Sequence, residues 1–170
     1  MLKDKDIRII KTKNKLSTTI IKIMEETPFA NIKITDICKL STISRPTFYT
    51  YFNDKYELLL YTLSILTKDI QTIPYDENIK PKYYYLYISE QLITNINNHL
   101  KEYLIINKST NKLLKSFLYE TILELFNEDI PNTIQNYFYL GAITNTTIYY
   151  LDNYLTKTKE EILEQLNKIL

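Results

Sequence analysis

Residues 33–58 read KITDICKLSTISRPTFYTYFNDKYEL, and this stretch decides the fold of the first third of the chain. Apolar residues at helical spacing predict a short helix over about 33–40, and Thr42-Ile43 breaks it. Ser44 is a good N-cap for the next helix. Pro46 lies in the first turn of that helix, where the backbone N–H that proline lacks would have no partner within the helix. Two short helices joined by a tight turn describe a helix-turn-helix, whose second helix enters the major groove of DNA.

Two longer helices flank this pair in the sequence. Apolar residues at intervals of three and four predict an amphipathic helix over about 8–26, which Pro28 ends. Phe29 follows and is free to fold back onto the core. On the other side, Asp54 caps a helix that starts at Lys55 and runs to about residue 70.

The helix-turn-helix segment separates into an inward and an outward set of side chains. The inward set, which fixes the angle between the two helices, comprises Ile34, Ile37, Ile43 and Phe48. The outward set comprises Thr35, Arg45, Thr47, Thr50 and Tyr51, and Lys55 begins the next helix. These donor types contact phosphates and base edges in DNA-binding proteins.

The run ITDICKLSTISRPTFYTYFNDKYELL resembles the TetR (tetracycline-repressor-like) family of transcription regulators. The family pattern reads Thr-hydrophobic-x-x-Ile-Ala, Gly-Val-Ser, Thr-hydrophobic-Tyr-x-x-Phe and Lys-x-x-Leu. Nine positions of this chain fall in register with it: Ile37, Ile43, Ser44, Thr47, Phe48, Tyr49, Phe52, Lys55 and Leu58. The resemblance covers about fifty residues and implies a DNA-binding domain over residues 1–54.

The resemblance also implies a role for each outward residue. Thr47 and Tyr49 would donate hydroxyl hydrogens to phosphates, and Lys55 would add a phosphate contact at a helix N-terminus. Arg45 and Tyr51 lie at the positions of the recognition helix that contact DNA bases in the family. Thr35, on the first helix of the pair, would contact the phosphate backbone of the other DNA strand. Pro46 and Thr50 complete the predicted DNA-binding surface.

Two residues depart from the family pattern. Thr42 stands where the family has Gly, and a β-branched residue at positive φ is strained, so we expect another geometry for this turn. Lys33 stands where the family has Thr, which removes a side-chain N-cap and one phosphate contact.

The remainder of the chain is also predicted to be helical, because it has few breakers and long runs of helix formers. Pro74 to Pro81 reads as a linker. Helices are predicted over about 82–98, 99–107, 110–128, 132–154 and 158–169, the last with Thr158 as N-cap and Glu161 at capping-box spacing. The predicted fold is all-α: a three-helix helix-turn-helix domain followed by a helical ligand-binding and dimerisation domain over residues 55–170.

The C-terminal run YFYLGAITNTTIYYLDNYLTKTKEEILEQL resembles the last two helices of short family members, including the dihydroxyacetone-kinase regulators. In the family, these helices pair with those of a second copy. The predicted dimer interface is the stripe Tyr137, Leu140, Gly141, Thr144, Ile148, Leu151 and Leu155, together with Ile162. Gly141 costs about 1 kcal/mol in a helix, which a close helix crossing would offset. The alternative is a crossing within one chain.

Charge and composition restrict the classes of protein to which this chain could belong. Residues 1–55 carry eleven Lys and Arg against six Asp and Glu, whereas the rest carries ten against fourteen. A basic first third suits a polyanionic partner. No segment approaches the roughly 20 apolar residues of a membrane span, and the N-terminus does not read as a signal peptide. The single Cys38 and single His99 give neither a disulfide nor a zinc site. We expect a cytoplasmic protein without metal or cofactor.

Three functions are compatible with these observations. The first is a bacterial repressor that binds a near-palindromic DNA operator as a homodimer and is released by a small-molecule effector. The second is a TetR-like coactivator or protein-binding adaptor that does not bind DNA, which the basic first third disfavours. The third is a small helical enzyme, which the lack of a catalytic motif disfavours. The tyrosines at 83–85 and 87 could line an effector cavity, although packing and surface positions are the simpler interpretation.

Overall fold

The computed structural model describes residues 2–70, 80–125 and 133–169, and every long regular element in these ranges is an α-helix. The helices are α1 (Leu2–Met24), α2 (Ile34–Ser41), α3 (Arg45–Tyr51), α4 (Lys55–Thr67), α5 (Pro81–Asn98), α6 (Leu100–Leu125), α7 (Ile134–Asn153) and α8 (Lys159–Ile169), with a 3₁₀ turn at Phe29–Asn31. The all-α prediction is therefore confirmed.

The helix bounds follow the sequence signals closely, with two informative differences. Helix α1 begins well before residue 8, since residues 2–7 contain neither Gly nor Pro. Helix α6 spans both segments predicted over 99–107 and 110–128, but Thr110 inside it has a non-helical backbone (φ −158°, ψ 60°). The predicted break is thus a single residue. Residues 71–79 of the predicted linker region, and residues 126–132, lie outside the described residues.

The predicted caps are confirmed at two helix starts. The Asp54 carboxylate accepts the backbone N–H groups of Tyr56 and Glu57 at 2.8 and 2.9 Å. At α8, Glu161 N–H donates to Thr158 Oγ1 and Thr158 N–H donates to Glu161 Oε2, both at 3.2 Å. This reciprocal pair is a capping box, which satisfies two backbone donors that the helix itself leaves unbonded.

One compact unit comprises Met1–Lys68 together with Lys108–Thr110. Helix α1 packs on α2 and α4, and α2 packs on α3. Fully buried apolar side chains fill the space between these helices: Leu16, Ile20, Ile37, Phe48, Leu58, Leu59 and Leu63. Phe29 is also buried, as predicted, and its N–H donates to Ser109 Oγ at 2.7 Å.

The domain boundary expected after residue 54 falls inside this unit rather than at its edge. The reason is that α4 packs against α1 and contributes Leu58, Leu59 and Leu63 to the shared core. The assignment of DNA binding to the first part of the chain and of regulation to the rest stays a prediction.

The second unit comprises Asp69–Asn107 and Asn111–Leu170, in which α5 packs on α7 and α8, and α7 packs on α8. Its core contains several tyrosines bonded to asparagines. Tyr103 is fully buried and donates to Asn95 Oδ1 at 2.9 Å, and Tyr150 donates to Asn97 Oδ1 at 2.5 Å. Such bonds offset the cost of removing a phenolic hydroxyl from water.

The tyrosines at 83–85 and 87 are divided between core and surface. Tyr84 and Tyr85 are buried, Tyr87 is half-buried and Tyr83 is exposed. An amphipathic helix with one face on the core and one in solvent produces this mixture of buried and exposed tyrosines.

Among the residues that the structure describes, no helix combines the length and apolar character that a membrane crossing requires.

Candidate nucleic-acid interface

The turn between α2 and α3 contains a left-handed residue at Thr42 (φ 54°, ψ 32°), the one non-glycine residue with positive φ in the described ranges. The expectation of another turn geometry is therefore wrong. Thr42 N–H donates to Lys39 O at 3.3 Å and Ile43 N–H donates to Cys38 O at 3.1 Å. These bonds satisfy carbonyls at the end of α2, which a different turn would leave without partners.

Lys15 of α1 holds this turn in place. Its Nζ donates to Thr42 Oγ1 at 2.8 Å, and the same hydroxyl donates to Ser41 O at 2.6 Å. These contacts partly offset the strain at Thr42, which is about 1–2 kcal/mol for a left-handed residue with a side chain. Sequence patterns do not reveal the contact, because Lys15 and Thr42 are far apart in the chain.

Side-chain oxygens accept backbone N–H groups at the N-termini of both α2 and α3. Thr47 N–H donates to Ser44 Oγ at 3.2 Å, which confirms Ser44 as the N-cap of α3. At α2, the Lys33 side chain offers no acceptor, but Asp36 Oδ2 accepts Lys33 N–H at 3.3 Å. The loss of a Thr N-cap at position 33 is thus partly replaced by a carboxylate one turn into the helix.

Helix α3 has one buried face and one outward face. Phe48 is fully buried and fixes the helix on the core. Most of the predicted DNA-binding residues are exposed: Thr35, Arg45, Pro46, Tyr49 and Thr50. Thr47 and Tyr51 are half-buried. The structure thus brings the residues predicted on α3 together on one short helix, accessible from outside.

Two of the predicted threonine contacts have internal partners. Thr50 Oγ1 donates to Pro46 O at 3.0 Å, and the Thr47 and Ser44 hydroxyls lie 2.7 Å apart. A hydroxyl has one hydrogen and two acceptor positions, so Thr50 would have to redirect its hydrogen to reach a phosphate. Arg45 and the two tyrosines of α3 are then the more available donors on this face.

Lys55 is positioned differently from its predicted role. Its Nζ donates to the carbonyls of Phe29, Ala30 and Ile32 at 2.7, 2.9 and 2.9 Å, and it lies over the Phe29 ring at 4.9 Å. Desolvation lowers the pKa of this ammonium from its ordinary value. Because all three ammonium hydrogens have partners in the chain, a phosphate contact would break one of these bonds.

Cys38 lies behind this surface. It is buried on α2, and burial raises the pKa of its thiol, an effect that the nearby Arg45 charge partly opposes. A raised pKa leaves little thiolate near neutral pH and suits a packing role. Within the part of the chain that the structure describes, no three His, Cys, Asp or Glu side chains could together hold a metal ion.

The predicted dimer stripe on α7 and α8 needs correction. Five of its eight members are buried within the single chain: Leu140, Thr144, Ile148, Leu151 and Ile162. Helices α5 and α8 cover this face of α7, so these side chains form the core of the second unit and are not available to a partner. Tyr137 and Leu155, by contrast, are 53% and 81% exposed.

A different face of α7 is exposed and apolar. Ile134 is 91% exposed and Phe138 is 63% exposed, and Tyr149 is exposed further along the same face, beyond the exposed polar residue Asn145. Gly141 lies on it, and a Cβ built at Gly141 meets no atom within 4 Å. A close helix crossing at Gly141 within the described chain is therefore excluded. Helical spacing alone could not show which face α5 and α8 would cover.

The chain was compared with models of known protein families and with curated proteins. No model of a known protein family matches the chain, and no curated protein matches it significantly.

Proposed function

We propose that this chain is a bacterial DNA-binding transcription regulator, a repressor that acts in the cytoplasm and binds a near-palindromic operator as a homodimer. The observation that carries the proposal is the outward face of α3, where Arg45, Tyr49 and Thr50 are exposed while Phe48 anchors the helix. A short helix with one anchored face and donors on the other is the element that helix-turn-helix proteins place in the major groove.

The charge of the first unit supports the same proposal. Its segment Met1–Lys68 carries twelve Lys and Arg against seven Asp and Glu. Contacts with phosphates release counterions from the duplex, and this release supplies most of the affinity for any DNA sequence. Arg45 then adds base readout, because its planar fork can bond both acceptors of a guanine edge.

A second copy is the proposed occupant of the exposed face of α7, formed by Ile134, Phe138, Gly141 and Tyr149. Water-exposed apolar side chains of this size in one line favour burial against a partner. Gly141 would let the partner helix approach closely, which would offset its helix propensity cost of about 1 kcal/mol. A homodimer carries two copies of α3, which matches the two half-sites of a palindromic operator. Release by a small-molecule effector is proposed on the family resemblance alone.

The test begins with selection of a preferred sequence from a random pool of duplex DNA. Binding of the selected duplex and of single-base variants is then measured for wild type, Arg45→Ala and Arg45→Lys. We expect Arg45→Ala to lose about 1–3 kcal/mol of discrimination at one base pair per half-site. Arg45→Lys keeps the charge and should retain most non-specific binding. It should lose the base preference, because lysine cannot make the bidentate hydrogen bonds of a guanidinium group.

Two results would overturn the proposal. Absence of binding to any duplex at low salt would favour the protein-binding adaptor. If wild type binds but Arg45→Ala weakens all operator variants equally, then Arg45 contributes charge only, and base readout by α3 is rejected.

A further inference from the structure

Helix α1 carries a line of cations that the proposed contacts of α3 do not use. Arg8, Lys11 and Lys15 recur at intervals of three and four residues and are all exposed. This spacing places them on one face of the helix. A neighbouring face supplies Leu16 and Ile20 to the core of the first unit. We call Arg8, Lys11 and Lys15 the α1 basic stripe.

The stripe lies beside the turn that leads into α3. Lys15 Nζ is 2.8 Å from Thr42 Oγ1, and Thr42 is followed within three residues by Arg45, the first residue of α3. From Lys15 to Arg8 the stripe extends about 10 Å along the helix, at 1.5 Å per residue. The stripe therefore begins near the N-terminus of α3, where Arg45 lies, and continues along α1 away from Lys15.

Arg8 and Lys11, the outer two members of the stripe, form no ion pair with any side chain that the structure describes. Like charges at these helical spacings repel one another. Lys13 offers a contrast, because it lies over the rings of Phe52 and Tyr61 at 5.3 and 4.7 Å and so has a clear packing role. An anionic partner would remove the repulsion within the stripe.

We propose that the α1 basic stripe is a second contact surface for the phosphate backbone of duplex DNA, separate from the base-reading face of α3. This inference rests on the proposed function. Phosphates of one strand rise 3.4 Å apart along a duplex, so a stripe of about 10 Å can face two or three of them. Contacts of this kind set affinity and orientation on the duplex and carry no sequence information.

The experiment compares the double variant Arg8→Gln/Lys11→Gln with the wild-type chain. The probe is a scrambled duplex of about 24 base pairs, and its affinity is measured over a series of salt concentrations. Glutamine keeps helix propensity while removing charge. The matched control is Lys112→Gln/Lys115→Gln, two exposed lysines at the same spacing on α6 in the second unit.

We expect the salt slope of the double variant to fall by about 1.8 for each bound chain, while its preference for a selected operator over the scrambled duplex stays unchanged. The control should keep the wild-type slope. Because repulsion is relieved, the double variant should melt at the same temperature as wild type or slightly higher.

An unchanged slope in the double variant, with wild type bound, would overturn the inference and leave the proposed function intact. A clearly lower melting temperature would also overturn it, since the stripe would then serve the fold. If wild type itself binds no duplex, the proposed function fails, and the wild-type measurement alone reveals this.

Discussion

At the residue scale, Thr42 shows how this chain keeps a turn geometry for which glycine is the usual choice. Its φ of 54° is in the left-handed region, and hydrogen bonds with Lys15 and Ser41 hold it there. The backbone bonds of the turn evidently outweigh the strain, because losing them would leave the last carbonyls of α2 without partners.

Thr42→Gly should stabilise the chain by about 1 kcal/mol, because glycine relieves most of the left-handed strain, whereas the two hydrogen bonds lost with the hydroxyl are exposed (from Lys15) or only partly buried (to Ser41 O). Urea unfolding measures the change. Thr42→Ala is the matched control: it loses the same hydroxyl but keeps a Cβ, so it should be less stable than wild type. Destabilisation by glycine as large as that by alanine would show that the Lys15 contact dominates and not the strain.

Lys55 illustrates a residue whose role depends on contacts that only the structure reveals. The sequence predicts a phosphate contact at the start of α4, whereas the folded chain gives its ammonium three carbonyl partners in the Phe29–Asn31 turn and at Ile32. We interpret Lys55 as the side chain that ties this turn to α4.

Lys55→Ala should cost about 2–3 kcal/mol of unfolding free energy, because three carbonyls, two of them partly buried, lose the charged donor that they share. Lys39→Ala, which removes an exposed lysine from α2, should change stability by less than about 0.5 kcal/mol. If Lys55→Ala were as stable as Lys39→Ala and its salt slope for DNA binding fell by about one, the phosphate role would replace the structural one.

At the element scale, the helices of this chain were predictable from short local signals. Ser44, Asp54 and Thr158 each start a helix with the hydrogen bonds that their residue types favour. The burial of the α7 stripe was not predictable, because it depends on α5, which is distant in the sequence. The same applies to Lys15 and Ser109, whose partners Thr42 and Phe29 are distant along the chain.

The buried polar pair between α5 and α6 makes the second unit sensitive to alkaline pH. Burial raises the pKa of Tyr103 well above its ordinary value, and its hydroxyl donates to Asn95. Since the unfolded chain ionises this tyrosine near pH 10, its contribution to stability is complete below pH 10 and is lost as the pH rises further.

Tyr103→Phe should therefore cost about 1 kcal/mol at pH 7 and lose less stability than wild type between pH 9 and 11. Urea unfolding at a series of pH values measures both effects. Tyr83→Phe, on the exposed surface of α5, should match wild type throughout. Equal alkaline losses in wild type and Tyr103→Phe would contradict the assignment to Tyr103.

At the scale of the whole molecule, binding to a palindromic operator requires two chains. The exposed face of α7 is the proposed interface, and a stable pair would bury about 800 Å² on each chain. This face and the predicted stripe share Gly141, whereas Ile134, Phe138 and Tyr149 of the exposed face were not part of the predicted stripe.

Phe138→Glu should weaken the dimer about 100-fold or more, because a carboxylate in an apolar interface loses its hydration without gaining a partner. Tyr83→Glu is the matched control, since Tyr83 is 59% exposed and Phe138 is 63% exposed. Sedimentation equilibrium over a range of concentrations gives the dissociation constants. A wild-type chain that stays monomeric at the concentrations used for DNA binding would exclude this dimer.

The most direct test of DNA binding through α3 is to map amide resonances of the full-length protein while the selected duplex is added. We predict large shifts for the amides of Arg45 and of residues 47–51 and for the first turn of α2, with smaller shifts on α1 near Arg8 and Lys11. Saturation by the duplex with no shift in Arg45–Tyr51, or with shifts confined to α7 and α8, would contradict the account.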